Sequence, residues 1–184
     1  VRKVAIQTIC NVCTTHPLMF LSKAVLMVND NIMNGTENEE LKITLMKMLI
    51  DFLNYEEETA NAIAALKSVK KSQKVGLGVF YGVTNKFVND GASASLMQRY
   101  IPKVIEIALS GETDIALTAT LLLERIISQG FANPRIAVST IVALETSRRA
   151  DISTVAKSMH AKLHDKHESL IESSYVEGVK AAAN

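Results

Sequence analysis

An apolar residue followed four places later by a second apolar residue or alanine opens a helical stretch at Val1/Ala5, Leu41/Leu45, Ile115/Ala119 and Ile152/Ala156. The starts lie 40, 74 and 37 residues apart. Because 74 is twice 37, the spacing predicts a repeating unit of about 37 to 40 residues with one register interrupted. Pro17, Pro102 and Pro134 each stand at the head of an apolar helical run. A missing N–H costs nothing in a first turn, and the fixed φ of proline suits it.

Such a period belongs to paired-helix, HEAT-type repeats, so the predicted fold is all-α: an α-solenoid, or α-α superhelix. A helix pair cannot bury its own apolar face, and units must stack. The products of that architecture are surfaces more than pockets, which favours a scaffold over an enzyme.

The pattern divides the chain into helix pairs over 1–71, a glycine-containing insertion loop over 72–95, and further helix pairs over 96–184. Residues 1–15 read as the second helix of a pair, with Val1, Val4, Ala5, Ile9 and Val12 on one face. Residues 17–33 form the next helix, and Asn34-Gly35 supplies a left-handed stop. Thr36 then caps a helix over 37–53, with Glu39 completing a capping box. A separate helix over 56–70 has a lysine-rich end. The loop over 72–95 takes the place of a phased helix expected near position 78. Helices resume over 102–109, 114–128, 134–146 and 151–163, and a last one begins near Glu168.

Composition narrows the class. The chain has 184 residues, 48% of them hydrophobic, which suffices for a sizeable core. Only 5% are aromatic and none is tryptophan, so aliphatic side chains must pack helix on helix. The formal charge of +1 predicts no global attraction to nucleic acid or to an anionic membrane. No apolar run approaches the roughly 20 residues of a membrane span, so no membrane partner is expected and an intracellular soluble protein is. Val1-Arg2 already lies inside a helix, with no polar capping repeat before it, and the expectation is a piece of a longer solenoid.

Four constellations carry candidate chemistry, and each has a plainer reading. Cys10 and Cys13 form a C-x-x-C with His16 three residues on, yet they sit mid-helix among apolar residues, where thiols pack as small hydrophobes. His160, His164 and His167 share a helix face beside Glu168, without the H-E-x-x-H order of a hydrolytic zinc site. Lys162, Asp165 and Lys166 between them mark a solvated helix end. Gly76, Gly78 and Gly82 have neither the strand nor the Lys-Ser/Thr of a phosphate loop, and Asn34-Gly35-Thr36 is a sequon too common to weigh. No catalytic set assembles from these, and no cofactor or metal is expected.

Lys67, Lys70, Lys71 and Lys74 form a basic cluster at a helix end, and Arg135, Arg148 and Arg149 lie near the ends of another helix. These seven are the candidate contacts to DNA or a protein partner. Without a base-reading motif, DNA contact through them is to the backbone and independent of sequence. The plainer reading is solvated helix termini.

Gln129-Gly130-Phe131-Ala132-Asn133-Pro134-Arg135, Ala143-Leu144-Glu145-Thr146-Ser147 and Lys162-Leu163-His164-Asp165-Lys166-His167-Glu168-Ser169-Leu170 resemble the cohesin loader family. The family member meant is the large HEAT-repeat subunit, Nipped-B or Nipped-B-like, in its fungal form. Ser95-Leu96-Met97-Gln98-Arg99-Tyr100, Leu117-Thr118-Ala119-Thr120 and Tyr175-Val176-Glu177-Gly178-Val179-Lys180 resemble its carboxy-terminal repeats. The likeness is best over 95–184; residues 1–70 match in repeat pattern alone.

The resemblance implies a hook-shaped nuclear scaffold on chromatin that loads the cohesin ring for sister chromatid cohesion and chromosome segregation. It also implies contact with the ring's kleisin subunit, its ATPase heads and DNA, and stimulation of cohesin's ATPase without ATP hydrolysis by the scaffold. A smaller loader subunit would be held through other parts of the full-length protein. The alternatives are another HEAT scaffold, of the transport-receptor or phosphatase-scaffold type, and a metal-dependent enzyme built on His160, His164 and His167.

Overall fold

The computed structural model describes the backbone of residues 1–35, 38–69 and 77–172, and the side chains of 1–35, 38–65, 91–133 and 136–165. All regular structure among them is helical: α1 (Arg2–Thr15), a 3-10 segment (Pro17–Leu21), α2 (Lys23–Asn34), α3 (Glu39–Val69), α4 (Leu77–Ala108), α5 (Asp114–Ser128), α6 (Pro134–Glu145) and α7 (Ala150–Glu172). No helix among the described residues is long and apolar enough to cross a membrane.

The helices form two layers. In one, α1 packs on α3, α3 on α5 and α5 on α7; in the other, α2, α4 and α6 each cover the helix that follows them, and the 3-10 segment touches α4. This is a paired-helix solenoid, as the apolar period predicts. The four phased starts in the sequence open the four helices of the first layer.

The repeat register is not interrupted between Leu41 and Ile115, contrary to the expectation from the 74-residue interval. Since α3 and α5 are direct neighbours, no unit is missing between them. The 74-residue interval arises because α3 and α4 run to 31 and 32 residues, so a single unit is long. The insertion loop expected over 72–95 is helical from Leu77 onward, while 70–76 lie outside the described residues. Isolated glycines cost a helix only about 1 kcal/mol each, so they weaken a helix without forbidding it.

Three other boundaries differ. No break separates 37–53 from 56–70, because Phe52 and Leu53 are buried and the apolar face continues past Asn54 and Tyr55. Pro102 lies inside α4 instead of heading a helix. It is exposed, so the unpaired Gln98 carbonyl it leaves one turn earlier is on the solvent side. Residues 17–33 are split at Ser22, whose backbone is extended (φ −65°, ψ 142°).

Gly35 ends α2 without left-handed backbone (φ −63°). A Cβ there would lie 2.7 Å from the Asn31 carbonyl oxygen, so close approach explains the glycine. The expected cap Thr36 lies outside the described residues, and Asn38 performs the task, its Oδ1 accepting from the Leu41 N–H at 3.2 Å.

One continuous core runs through both layers. Phe20 of the 3-10 segment meets Phe52 of α3 with ring centroids 4.8 Å apart, and Leu45, Leu49, Met97, Val104, Leu122, Leu123 and Ile126 are fully buried. The core threonines Thr118 and Thr120 are satisfied within their own helix, donating to the carbonyls of Asp114 and Ala116, each at 2.8 Å. Pro134 opens α6 as predicted, and Pro17 opens the short 3-10 segment after His16, whose backbone is not helical (φ −133°, ψ 74°).

Candidate interaction surface

The residues that resemble a family signature build corners. At the end of α5, the Phe131 N–H donates to Ile126 O and the Gly130 N–H to Ile127 O, both at 3.0 Å, with Gly130 at φ +79°. This pair of bonds is the Schellman stop, which needs a left-handed residue at the glycine position. Phe131 then turns back on the core. The Gln129 side chain donates from Nε2 to the Leu53 carbonyl of α3 at 2.8 Å, and Gln98 of α4 donates from Nε2 to the Phe131 carbonyl. The turn is thereby tied to both preceding long helices.

On the other side of Gln98, Arg99 grips Asp30 of α2 with two hydrogen bonds, the one from Nε at 2.9 Å, and the Tyr100 hydroxyl donates to the same carboxylate at 3.0 Å. The bond from Arg99 holds the Asp30 carboxyl below its usual range; burial opposes this, and the Tyr100 hydroxyl pulls in the same direction as Arg99. Burial, and then the bond to Asp30, push the Tyr100 phenol up.

Ion pairs join successive helices of the first layer: Lys3 to Glu40 at 2.8 Å, Glu57 to Arg125 at 3.8 Å, and Glu124 to Lys162 at 2.7 Å. Glu124 is the best shielded of these groups. Burial raises its pKa, but the bonds from Lys162 and Ser128 more than reverse that, and the carboxyl ends below its ordinary value.

Of the seven candidate contact residues, Lys70, Lys71 and Lys74 lie outside the described residues. Lys67 is placed on α3 and Arg135 on α6 by backbone alone. Arg148 and Arg149 occupy the turn between α6 and α7. Arg148 is exposed, its main-chain N–H donating to Glu112 Oε1 at 2.7 Å, and its guanidinium pairs with no acid among the described residues. Arg149 is turned inward: Nη2 meets Asp114 at 2.8 Å, Nε meets Asp151 at 2.9 Å, and Nη1 donates to the Glu112 carbonyl at 3.3 Å. It stitches the start of α5 to the start of α7, a role that spacing alone does not reveal.

Cys10 and Cys13 are buried in α1, while His16 is exposed beyond its end. Burial pushes the Cys10 thiol up to about 12, with the neighbouring Cys13 adding to the shift, and raises Cys13 as well. His160 meets Glu145 of α6 through Nδ1 at 2.6 Å, bracing α7 against α6. His164 is on the same helix, and the side chain of His167 lies outside the described residues.

A groove of about 560 Å³ runs between α1 and α2, floored by Ile6, Ile9, Val28, Ile32 and Leu41. Val4, Val12 and Met27 beside it are exposed. What the described surface offers is thus extended and apolar or charged, in keeping with docking.

The family model for the sister chromatid cohesion C-terminus, Nipped-B_C, matches residues 93–184. The chain is 30% identical over 178 residues to sister chromatid cohesion protein mis4 of Schizosaccharomyces pombe, covering 94% of this chain and 11% of that one. It is 28% identical over 184 residues to sister chromatid cohesion protein 2 of Saccharomyces cerevisiae, covering 99% and 12%. The fold matches the C-terminal fragment of the Chaetomium thermophilum cohesin loader SCC2 with a TM-score of 0.78 at 24% identity, over 99% of this chain and 12% of that one. The chain therefore spans only about a tenth of the length of these relatives. With half its residues matched by that model and a solenoid of the same fold, this chain belongs to the Nipped-B family, in its sister chromatid cohesion C-terminal region.

Proposed function

We propose that this chain is a non-enzymatic scaffold segment of a cohesin loader. It helps place cohesin on chromatin in the nucleus by holding the ring's kleisin subunit, its ATPase heads and DNA, and it stimulates ATP hydrolysis by cohesin. The observation that carries the reading is the family match over 93–184, which takes in the second half of α4 and all of α5, α6 and α7. The relatives' names tie that region to sister chromatid cohesion.

A curved, stiff surface performs such a task by binding one conformation of its partner better than another, since only differential affinity shifts an equilibrium. DNA contact is to the phosphate backbone through Lys67, Lys70, Lys71, Lys74, Arg135 and Arg148, and it weakens as salt rises. Arg149 serves the fold, because its guanidinium is already committed to Asp114 and Asp151.

The test is cohesin occupancy on chromatin in cells whose loader carries Lys70→Glu, Lys71→Glu and Arg148→Glu. Occupancy falls, with the loader's abundance unchanged, if these side chains contact DNA. Unchanged occupancy removes them from the contact surface.

A further inference from the structure

We propose that α4 is a latched hinge that sets the curvature of the solenoid. Pro102 opens one rung of its hydrogen-bond ladder, and the cluster of Asp30 with Arg99 and Tyr100, together with the Gln98–Phe131 bond, holds the helix at that point.

The hinge follows from covalent structure. Pro102 has no N–H to give to the Gln98 carbonyl, and its ring crowds that oxygen, so the backbone there resists bending less than an unbroken helix does. Pro102 faces solvent, whereas Met97, Tyr100, Ile101 and Val104 are buried on the opposite side. The opened rung therefore lies on the outer side of α4, and the apolar seam beneath it is the pivot.

The latch occupies the three residues at and just after the unpaired carbonyl. Arg99 and Tyr100 reach back to Asp30 on α2, and Gln98 reaches forward to the turn after α5. That turn is itself fixed to α3 by Gln129. Spacing between helices in the layer of α2, α4 and α6, relative to the layer of α1, α3, α5 and α7, is what curvature means in a solenoid. The latch controls the first of these spacings directly.

The two kinds of contact respond to different conditions. The Asp30 and Arg99 side chains are 27% and 49% exposed, so their attraction is screened by salt, while the apolar seam is not. The angle between α2 and the later helices is thus adjustable without unfolding the core.

Nitroxide labels at Lys23→Cys on α2 and Lys157→Cys on α7, both exposed positions, read this angle in the full chain by pulsed electron resonance. The chain without the added cysteines controls for reaction at Cys10 and Cys13. The Asp30→Asn variant shifts and broadens the distance distribution while helical circular dichroism stays the same. Raised salt shifts the distribution of the unsubstituted protein in the same direction, which covers the case of a variant that folds poorly. Adding Pro102→Ala to Asp30→Asn narrows the distribution again by restoring the rung. A distribution indifferent to both Asp30→Asn and salt overturns the latch, and a failure of Pro102→Ala to narrow it overturns the hinge.

Discussion

Gln129 and Leu53, 76 positions apart, are joined by a hydrogen bond of 2.8 Å from the glutamine Nε2 to the leucine carbonyl. The carbonyl has two lone pairs, so it accepts this bond without leaving the ladder of α3. Through it the stop of α5 is registered against the middle of a helix in the preceding unit. Removing the amide in Gln129→Ala costs about 1 kcal/mol, the net worth of a hydrogen bond of this kind. Gly130→Ala costs about 1–2 kcal/mol, because φ at that residue is in the left-handed region. Urea unfolding followed by circular dichroism measures both.

The meeting of Phe20 with Phe52 anchors the 3-10 segment to α3. Phe52→Ala leaves a cavity at a fully buried site and destabilises by about 3–5 kcal/mol. Tyr55, three residues on but 47% exposed, is the control: Tyr55→Ala changes stability by no more than about 0.5 kcal/mol. Equal effects at the two positions would mean that α3 does not present this face to the core.

Acid loosens the contact between α2 and α4. Asp30 has a folded pKa below its ordinary value of 3.8. Its contribution is therefore fully present above that pH and is lost as pH falls through the lower folded value. The unfolding midpoint of the native chain drops more steeply below pH 3.8 than that of Asp30→Asn. Parallel profiles would remove the ion pair from the account.

The two thiols of α1 resist alkylation in the folded protein. Cys10 is raised to about 12 from 9.0, chiefly by burial, so neither access nor thiolate is available at pH 8. Iodoacetamide labels Cys10 and Cys13 at the rate of global unfolding, read by mass spectrometry. The same shift makes stability decline as pH rises from 9.0 towards 12, the range over which the unfolded thiol ionises and the folded one does not. Rapid labelling under native conditions would contradict the burial of α1 against α3.

Much of the fold is legible in the apolar period, since the starts at Val1, Leu41, Ile115 and Ile152 open helices of one layer. The predicted bounds of α5 are those observed, because Thr113 caps it and Gly130 stops it, both local signals. Pro102 and the glycines from Gly78 to Gly91 misled for a common reason: local propensity is a weak signal, and a residue that disfavours a helix does not by itself end one. The interval of 74 residues admits two readings, two short units or one long one, and only the contact of α3 with α5 decides. Side-chain roles were less legible. Arg148 and Arg149 are neighbours of one type, yet one is exposed and the other is locked between two aspartates, a distinction set by the fold around Asp114 and Asp151.

This segment is proposed to help a scaffold act on cohesin. The most direct test is ATP turnover by purified cohesin with DNA, comparing intact loader with one carrying Lys70→Glu, Lys71→Glu and Arg148→Glu. The expected result is that the intact loader stimulates turnover and that the variant, equally folded, stimulates it less. An intact loader that leaves turnover unchanged would rule out such a role.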